Sequence, residues 1–338
     1  MDIIKVIAAE LNIAPRQIAN TVDLLDEGNT IPFIARYRKE ATGELDEEQI
    51  RSINDRLTYL RNLEARKAEV LKSIEEQGKL TPELAQAIAE APKIQEVEDL
   101  YRPYKPKKRT RAMIAKERGL EPLADLIWNQ ETESGSAEEL AVSFVNPDLG
   151  VETAAEALAG ARDIIAERVS DDPDYRKMLR QYFWEHALIT SGAKEAKADQ
   201  KKDAERAELD EYRMYADYKE PLSKIPPHRI LALNRGEKED ALKVSVVADH
   251  EVALDKLNRM IVTNRKSIFT SDLEEAIADG YKRLLFPSLE RELRNALTET
   301  AEEHAIKVFG LNLRNLILQA PVKDVRVMGI DPGYRTGC

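Results

Sequence analysis

The side chains best placed to do chemistry lie in Tyr101-Arg102-Pro103-Tyr104-Lys105-Pro106-Lys107-Lys108-Arg109-Thr110-Arg111, which holds six cations, no anion, two prolines and two tyrosines. Lys and Arg neutralise phosphates and release counterions, and tyrosine rings stack on unpaired bases. Arg102, Lys105, Lys107, Lys108, Arg109 and Arg111 are therefore candidate phosphate contacts, with Tyr101 and Tyr104 as stacking or packing residues. The competing use is structural, with the tyrosines packed into neighbouring helices and the cations forming a solubilising rim or a protein interface. Pro103 and Pro106 forbid regular helix, so the segment is expected as an exposed, extended loop.

Two smaller groups carry similar chemistry. Arg36, Arg38 and Lys39 surround Tyr37 and can bind phosphate, yet Glu40 and Glu44 are close by, which favours a solvated helix face holding salt bridges. Arg229 and Arg235, with Lys238, fit either a second phosphate site or interdomain hydrogen bonding. Catalytic signals are sparse. Asp331, in Gly329-Ile330-Asp331-Pro332-Gly333, is placed as a strand-end carboxylate suited to Mg²⁺, but two-metal hydrolysis needs several carboxylates and one alone catalyses nothing. No P-loop, dinucleotide fingerprint, HExxH or nucleophile elbow occurs, so the chain is read as non-enzymatic, without cofactor or metal site. His186, one helical turn beyond Tyr182, has no second ligand at chelating spacing and is expected as a partly buried structural histidine.

Composition narrows the setting. The 338 residues allow two or three domains, and helix formers dominate with aromatics at 6%. A net charge of −11 opposes indiscriminate coating of nucleic acid or membrane and makes any local basic cluster stand out. The single cysteine, Cys338, excludes a disulfide framework and a cysteine zinc site within these residues. No apolar run reaches about 18 residues, so the expectation is a soluble cytoplasmic protein with no membrane partner.

The elements that must position these residues are helical. Ser271 to Leu318 reads as one helix, roughly 70 Å long, started by a Ser271/Glu274 capping box. Leu273, Ile277, Tyr281, Leu285, Leu289, Leu293, Leu297, Ala301, Ala305, Phe309, Leu313 and Ile317 recur every fourth residue, a stripe that winds around the axis. Ile306, Val308, Leu311, Leu316 and Leu318 widen it, which predicts burial nearly all round. Gly280 suggests a C-terminal cap and Pro287 a kink rather than a break. Upstream, helices are expected over 2–11, from Pro15 to near Gly28, and from an Asp46/Gln49 capping box to near Gly78, the last paired with a helix at Thr81-Pro82. Helices after Thr110 and Pro122, joined at Gly119, resemble a helix-turn-helix, although Glu121 and Asp125 make the second ill-suited to a major groove. Gln130 to Glu139 reads as a surface linker, a later helix runs through Ile189, and 192–219 is a solvated helix or mobile connection. A short helix closes at Gly236 before one strand at 242–248. Val325 to Ile330 forms a further strand, which lacks a partner and marks the chain as a fragment. The pieces are 1–95, 96–130, 131–268, 269–320 and 321–338.

Five stretches together resemble the Tex family of bacterial transcription accessory proteins: Ile31 to Glu40 with Thr42-Gly43; Asp99-Leu100-Tyr101 through Ala124; His228 to Ala232 with Asn234 to Glu237; Leu284 to Arg294; and Gly329 to Gly333 with Arg335-Thr336-Gly337. The resemblance implies a mainly α N-terminal scaffold around a long central helix. An RNase H-like YqgF domain, helix-hairpin-helix elements and an RNA-binding OB-fold would follow, an organisation similar to a eukaryotic elongation factor that is also a histone chaperone. Asp331 then matches the first acidic position of the YqgF domain. RNA or DNA is the implied partner, with RNA polymerase or other transcription or translation machinery beside it. The rival expectation is a protein-docking module whose nucleic-acid binding lies in other domains, and the third is the remnant of a Mg²⁺-dependent nuclease.

Overall fold

The computed structural model describes residues 2–194, 212–320, 323 and 325–330. They are mainly helical, with one small antiparallel sheet, and no described helix is long and apolar enough to cross a membrane. Two compact units divide them: Met1–Met178 with Leu254–Leu285, and Leu179–Ala253 with Phe286–Cys338.

The first unit begins with helices Ile3–Leu11, Pro15–Asp26 and Ile31–Tyr37, laid along the Glu47–Glu76 helix, and the short Lys39–Thr42 helix, which packs on Pro15–Asp26. The expected capping box starts that helix: the Asp46 carboxylate accepts the Gln49 N–H at 2.8 Å, and the Gln49 side chain accepts the Asp46 N–H at 3.0 Å. Its apolar stripe, Ile50, Ile53, Leu57, Leu60, Leu63, Val70 and Ile74, is buried against Ile7, Ile18, Ile34, Ile88 and Val97. Each such side chain contributes about 1.5–3 kcal/mol by leaving water. Helices Pro82–Glu90 and Ile94–Tyr101 close this core.

The rest of the first unit encloses the Ala154–Asp171 helix. Ala157, Leu158, Ala161, Ile164, Ile165, Ala166 and Val169 are all buried, under helices Arg111–Glu117, Glu121–Asn129, Ala137–Ala141 and Thr270–Asp279. Small residues let those helices approach closely. Gly280 takes the expected C-cap position of the Thr270–Asp279 helix, but in right-handed geometry, φ −56°, and it is also a packing glycine: a Cβ there would lie 2.7 Å from the Ala166 carbonyl oxygen. Gln130 is also not surface linker: its side chain is buried, donates to the Ile261 carbonyl at 2.8 Å and accepts the N–H groups of Thr263 and Asn264 at 2.9 and 3.1 Å. A chain turn that buries its polar groups has to satisfy them, and Gln130 does so here.

The stretch expected as one α-helix over 271–318 is helical without a break over 270–317, but it is not α throughout. It comprises Thr270–Asp279, a π-helical segment Gly280–Leu285 and Phe286–Ile317. No capping box forms at Ser271; Phe269 occupies the cap position without a side-chain bond. Pro287 follows directly on the π-helical segment, and the helix runs on through it without a break. The every-fourth stripe is buried from Leu273 to Ala301. Beyond it the expectation of all-round burial fails: Ile306, Phe309 and Leu316 are 70%, 68% and 62% exposed. Periodicity shows that a face is apolar and says nothing of whether a partner covers it.

In the second unit three strands form an antiparallel sheet in the order β2-β1-β3: β1 Leu188–Ala193, β2 Asp217–Pro221 and β3 Leu242–Val247. Only β3, whose Leu242, Val244 and Val246 are buried and alternate with Lys243 and Ser245, is legible in the sequence. The helix expected through Ile189 ends at His186, and β1 pairs on both edges, Ile189 opposite Glu220 and Val246. Residues 195–211 of the charged stretch lie outside the described residues, while Tyr212 and Tyr215 are buried. The Pro227–Lys238 helix continues past Gly236 and packs on the Phe286–Ile317 helix, where Asn234 donates to Thr298 at 2.8 Å, Arg294 pairs with Glu237, and Glu290 accepts the Val246 N–H at 2.8 Å. Val325–Ile330 is exposed and forms no strand, since an isolated strand has no ladder to join.

A methyl group at position 280 has no space. Gly280→Ala is expected to lower stability by about 1–3 kcal/mol, read as a lower urea midpoint. Gly310→Ala, whose Cβ would meet nothing within 4 Å, should leave the midpoint unchanged or raise it.

Candidate nucleic-acid interface

The basic segment is anchored at its start. Tyr101 ends the Ile94–Tyr101 helix and is 8% exposed, its hydroxyl 2.9 Å from Ser73 Oγ and its ring 5.6 Å beneath the Arg66 guanidinium. Tyr104 closes a 3-10 turn, Arg102–Tyr104, and packs half-buried on the same core, its carbonyl accepting Gln77 Nε2 at 2.9 Å. Both rings are packing residues, so neither is a free stacking platform and the exposed loop is shorter than expected. At the far end Thr110 Oγ1 accepts the Met113 N–H at 3.1 Å and starts the Arg111–Glu117 helix.

The six cations separate into two sets. Arg102 and Lys107 turn inward to the end of the Ala154–Asp171 helix: Arg102 Nε lies 3.3 Å from Asp171 Oδ1, and Lys107 Nζ bonds Asp171 and lies 3.3 Å from Glu167. Burial holds the Asp171 carboxyl above its ordinary value and the Arg102 guanidinium below its own, while the Lys107 ammonium pulls Asp171 the other way. Beneath them Asp99 and Arg176 form an ion pair at 2.9 Å with both residues buried. These charges hold the segment in place. Lys105, Lys108, Arg109 and Arg111 are exposed instead. Arg109 meets Glu117 at 2.8 Å, a solvent-exposed pair worth at most about 1 kcal/mol and easily exchanged for phosphate. Lys105, Lys108 and Arg111 are in no ion pair among the described residues. Arg118, which sequence reasoning passed over, is also exposed; its signal is the seven-residue spacing from Arg111, which returns to one helix face.

The helix pair 111–117 and 121–129, joined at Gly119 with φ +80°, is spent on packing. Ala112, Ala115, Leu123, Ala124 and Ile127 are buried, and Asp125 on the outer side pairs with Arg168 at 2.6 Å. No cationic recognition face remains on its second helix.

The other candidates are scattered. Arg229 bonds Glu220 and the Tyr218 hydroxyl at 3.0 and 3.1 Å, and Arg235 donates to the Tyr212 hydroxyl at 2.7 Å, all within the second unit. Arg36, Arg38 and Lys39 are exposed, and the expected salt bridges to Glu40 and Glu44 do not form. His186 is exposed rather than partly buried, its ring 5.1 Å from Tyr182. Asp331 lies outside the described residues, and among those described no three His, Cys, Asp or Glu side chains gather as a metal site.

A mainly helical scaffold with one anchored basic segment is the class that this geometry defines. The chain belongs to the Tex family: it matches the Tex-like protein N-terminal domain over residues 1–75 and the Tex central region-like domain over residues 132–309. It is 47% identical to YdcI of Bacillus subtilis (strain 168) over 98% of this chain and 45% of that protein. Identity to the transcriptional accessory protein Tex of Neisseria gonorrhoeae is 40%, over 100% of this chain and 44% of that one. The Homo sapiens S1 RNA-binding domain-containing protein 1 is 33% identical over 100% of this chain and 34% of its own length. The chain thus spans less than half of each relative.

Removing one member of the buried pair strands the other. Arg176→Met alone should cost about 3–5 kcal/mol in chemical denaturation, and adding Asp99→Leu should recover much of that loss. Next in the chain, the Tyr175 hydroxyl is pushed up to about 12 by burial, with Asp172 and Asp174 adding to it, against 10 for an exposed tyrosine. Stability from neutral Tyr175 is therefore full below pH 10 and lost as pH rises through about 12. Tyr175→Phe should flatten that alkaline loss in denaturation series across the window.

Proposed function

We propose that this chain is the phosphate-contacting scaffold of a cytoplasmic transcription accessory protein, binding RNA or DNA through Lys105, Lys108, Arg109 and Arg111. One observation carries the proposal: four exposed cations within seven residues, on a segment held at both ends, in a chain of net charge −11. Counterion release at such a cluster drives binding without reading sequence. The role needs charge placement and no bond-making group, so it is non-catalytic. The names of the relatives support the setting, one being a transcriptional accessory protein and another an S1 RNA-binding domain-containing protein. On the family resemblance, residues 321–338 open an RNase H-like YqgF domain with Asp331 as its first acidic position.

A second reading, a scaffold that docks transcription machinery, is favoured by the exposed apolar stretch from Ile306 to Leu318. Salt separates the two. Affinity for fluorescent single-stranded RNA and duplex DNA should fall steeply with added salt, and replacing the four cations by Gln should reduce the log–log slope by about 3–4. An unchanged slope, or no binding at low salt, would assign nucleic-acid contact elsewhere and leave the docking scaffold.

A further inference from the structure

The first unit carries a second charged surface, built quite differently. Helix Ile31–Tyr37 buries Ile34 completely and turns Phe33 and Tyr37 outward, 36% and 57% exposed. The two rings are one helical turn apart, centroids 5.3 Å and planes 46° from each other, and the Arg38 guanidinium stands 5.6 Å over Phe33. Arg36, Arg38 and Lys39 are exposed and in no ion pair among the described residues.

The arginines of the neighbouring Glu47–Glu76 helix are paired instead. Arg51, Arg56, Arg61 and Arg66 each hold a carboxylate at 3.0 Å or less. Carboxylates also stand near the patch in sequence, at Glu40 and Glu44, both exposed, yet they leave the three cations uncompensated. The backbone under the patch is fixed. Asn20 Nδ2 donates to the Ala41 carbonyl at 2.7 Å, and Gln17 Nε2 donates to the carbonyls of Thr42 and Gly43 at 3.0 and 2.9 Å. Thr42 is buried beneath and Gly43 turns the chain at φ +66°. The exposed Tyr37 ring, backed by Phe33 with Arg38 over it, and three cations in no ion pair among the described residues match the stacking platform and phosphate track of a single-stranded nucleic acid. A duplex hides its base faces and offers nothing to the rings. An acidic peptide would use the cations and leave Tyr37 without a role.

We propose that Phe33, Tyr37, Arg36, Arg38 and Lys39 form a second contact site, selective for single-stranded nucleic acid, with a base stacked on Tyr37 and phosphates held by the three cations. The site rests on its own residues and is independent of the segment at 105–111.

The test uses this chain with a short single-stranded RNA and a duplex of equal length, followed by fluorescence anisotropy. Tyr37→Ala should weaken single-strand binding roughly 5- to 100-fold and leave duplex binding unchanged, while Tyr37→Phe, which keeps the ring, restores it. Replacing Arg36, Arg38 and Lys39 by Gln should lower the single-strand log–log slope by about 2. Tyr37 is exposed, so unchanged thermal melting is the check on folding. Equal loss for both nucleic acids, or no loss with Tyr37→Ala, overturns the site. So does intact RNA affinity in a Tyr37→Ala variant that no longer binds polyglutamate, which would assign the patch to an acidic protein. The Gln variant of Lys105, Lys108, Arg109 and Arg111, measured in parallel, keeps the two proposals apart: loss there alone overturns this site, and loss at Tyr37 alone overturns the other.

Discussion

The enclosure of one helix, Ala154–Asp171, governs the first unit. Packing it against several helices demands small residues where neighbours come close, and the chain supplies them: Ala161, Ala166 and Gly160, where a Cβ would lie 2.3 Å from Leu120 Cδ1. Its charged residues are engaged as fully as its apolar ones. Arg162 pairs with Asp272 and Glu275, Asp163 with Arg283, Arg168 with Asp125, and Glu167 and Asp171 with Lys107. Helices Glu121–Asn129 and Thr270–Asp279, and the basic segment, are therefore registered against a single rod. Displace the rod and the exposed cations lose their common support.

Charge is used in two distinct ways. Where cations join elements they are paired, as Arg56 with Glu10 and Arg61 with Asp26 tie the N-terminal helices to the Glu47–Glu76 helix, and both carboxyls are held below their ordinary values by those guanidiniums. Where cations form no ion pair among the described residues, in an acidic chain, they are conspicuous. Lys105, Lys108, Arg111, Arg36, Arg38 and Lys39 belong to that second class, and each cluster sits on backbone pinned by buried or hydrogen-bonded neighbours. Pre-organised surface charge loses little entropy on meeting a phosphate, which is why rigidity beneath a basic cluster matters as much as the cluster.

In the second unit the Phe286–Ile317 helix buries Leu289, Leu293, Leu297 and Ala301 and meets the Pro227–Lys238 helix through Asn234, Glu237, Arg294 and Thr298. Each of these four polar side chains has a partner across the contact, so the helix is held in rotation as well as in place. The candidates Arg229 and Arg235 are absorbed by the same logic, each bonded to a tyrosine hydroxyl and near a carboxylate.

What the sequence determined by itself was whatever depends on near neighbours. The Asp46/Gln49 capping box, the stripe along the Glu47–Glu76 helix, the alternation of β3 and the prolines that break the basic segment are all set by residues a few positions apart, where backbone geometry dictates the spacing. Tertiary structure decided the rest, because it turns on partners far away in the chain. Lys107 meets an aspartate 64 residues on, and Gln130 reaches a carbonyl 131 residues away. Thr190, Ser191 and Gly192 carry no strand signal until β2 and β3 flank them. The same holds at the candidate interface. A run of like charges is visible in one dimension, but which cations are neutralised and which face water depends on where the carboxylates of other elements come to lie, and only the folded chain brings those together.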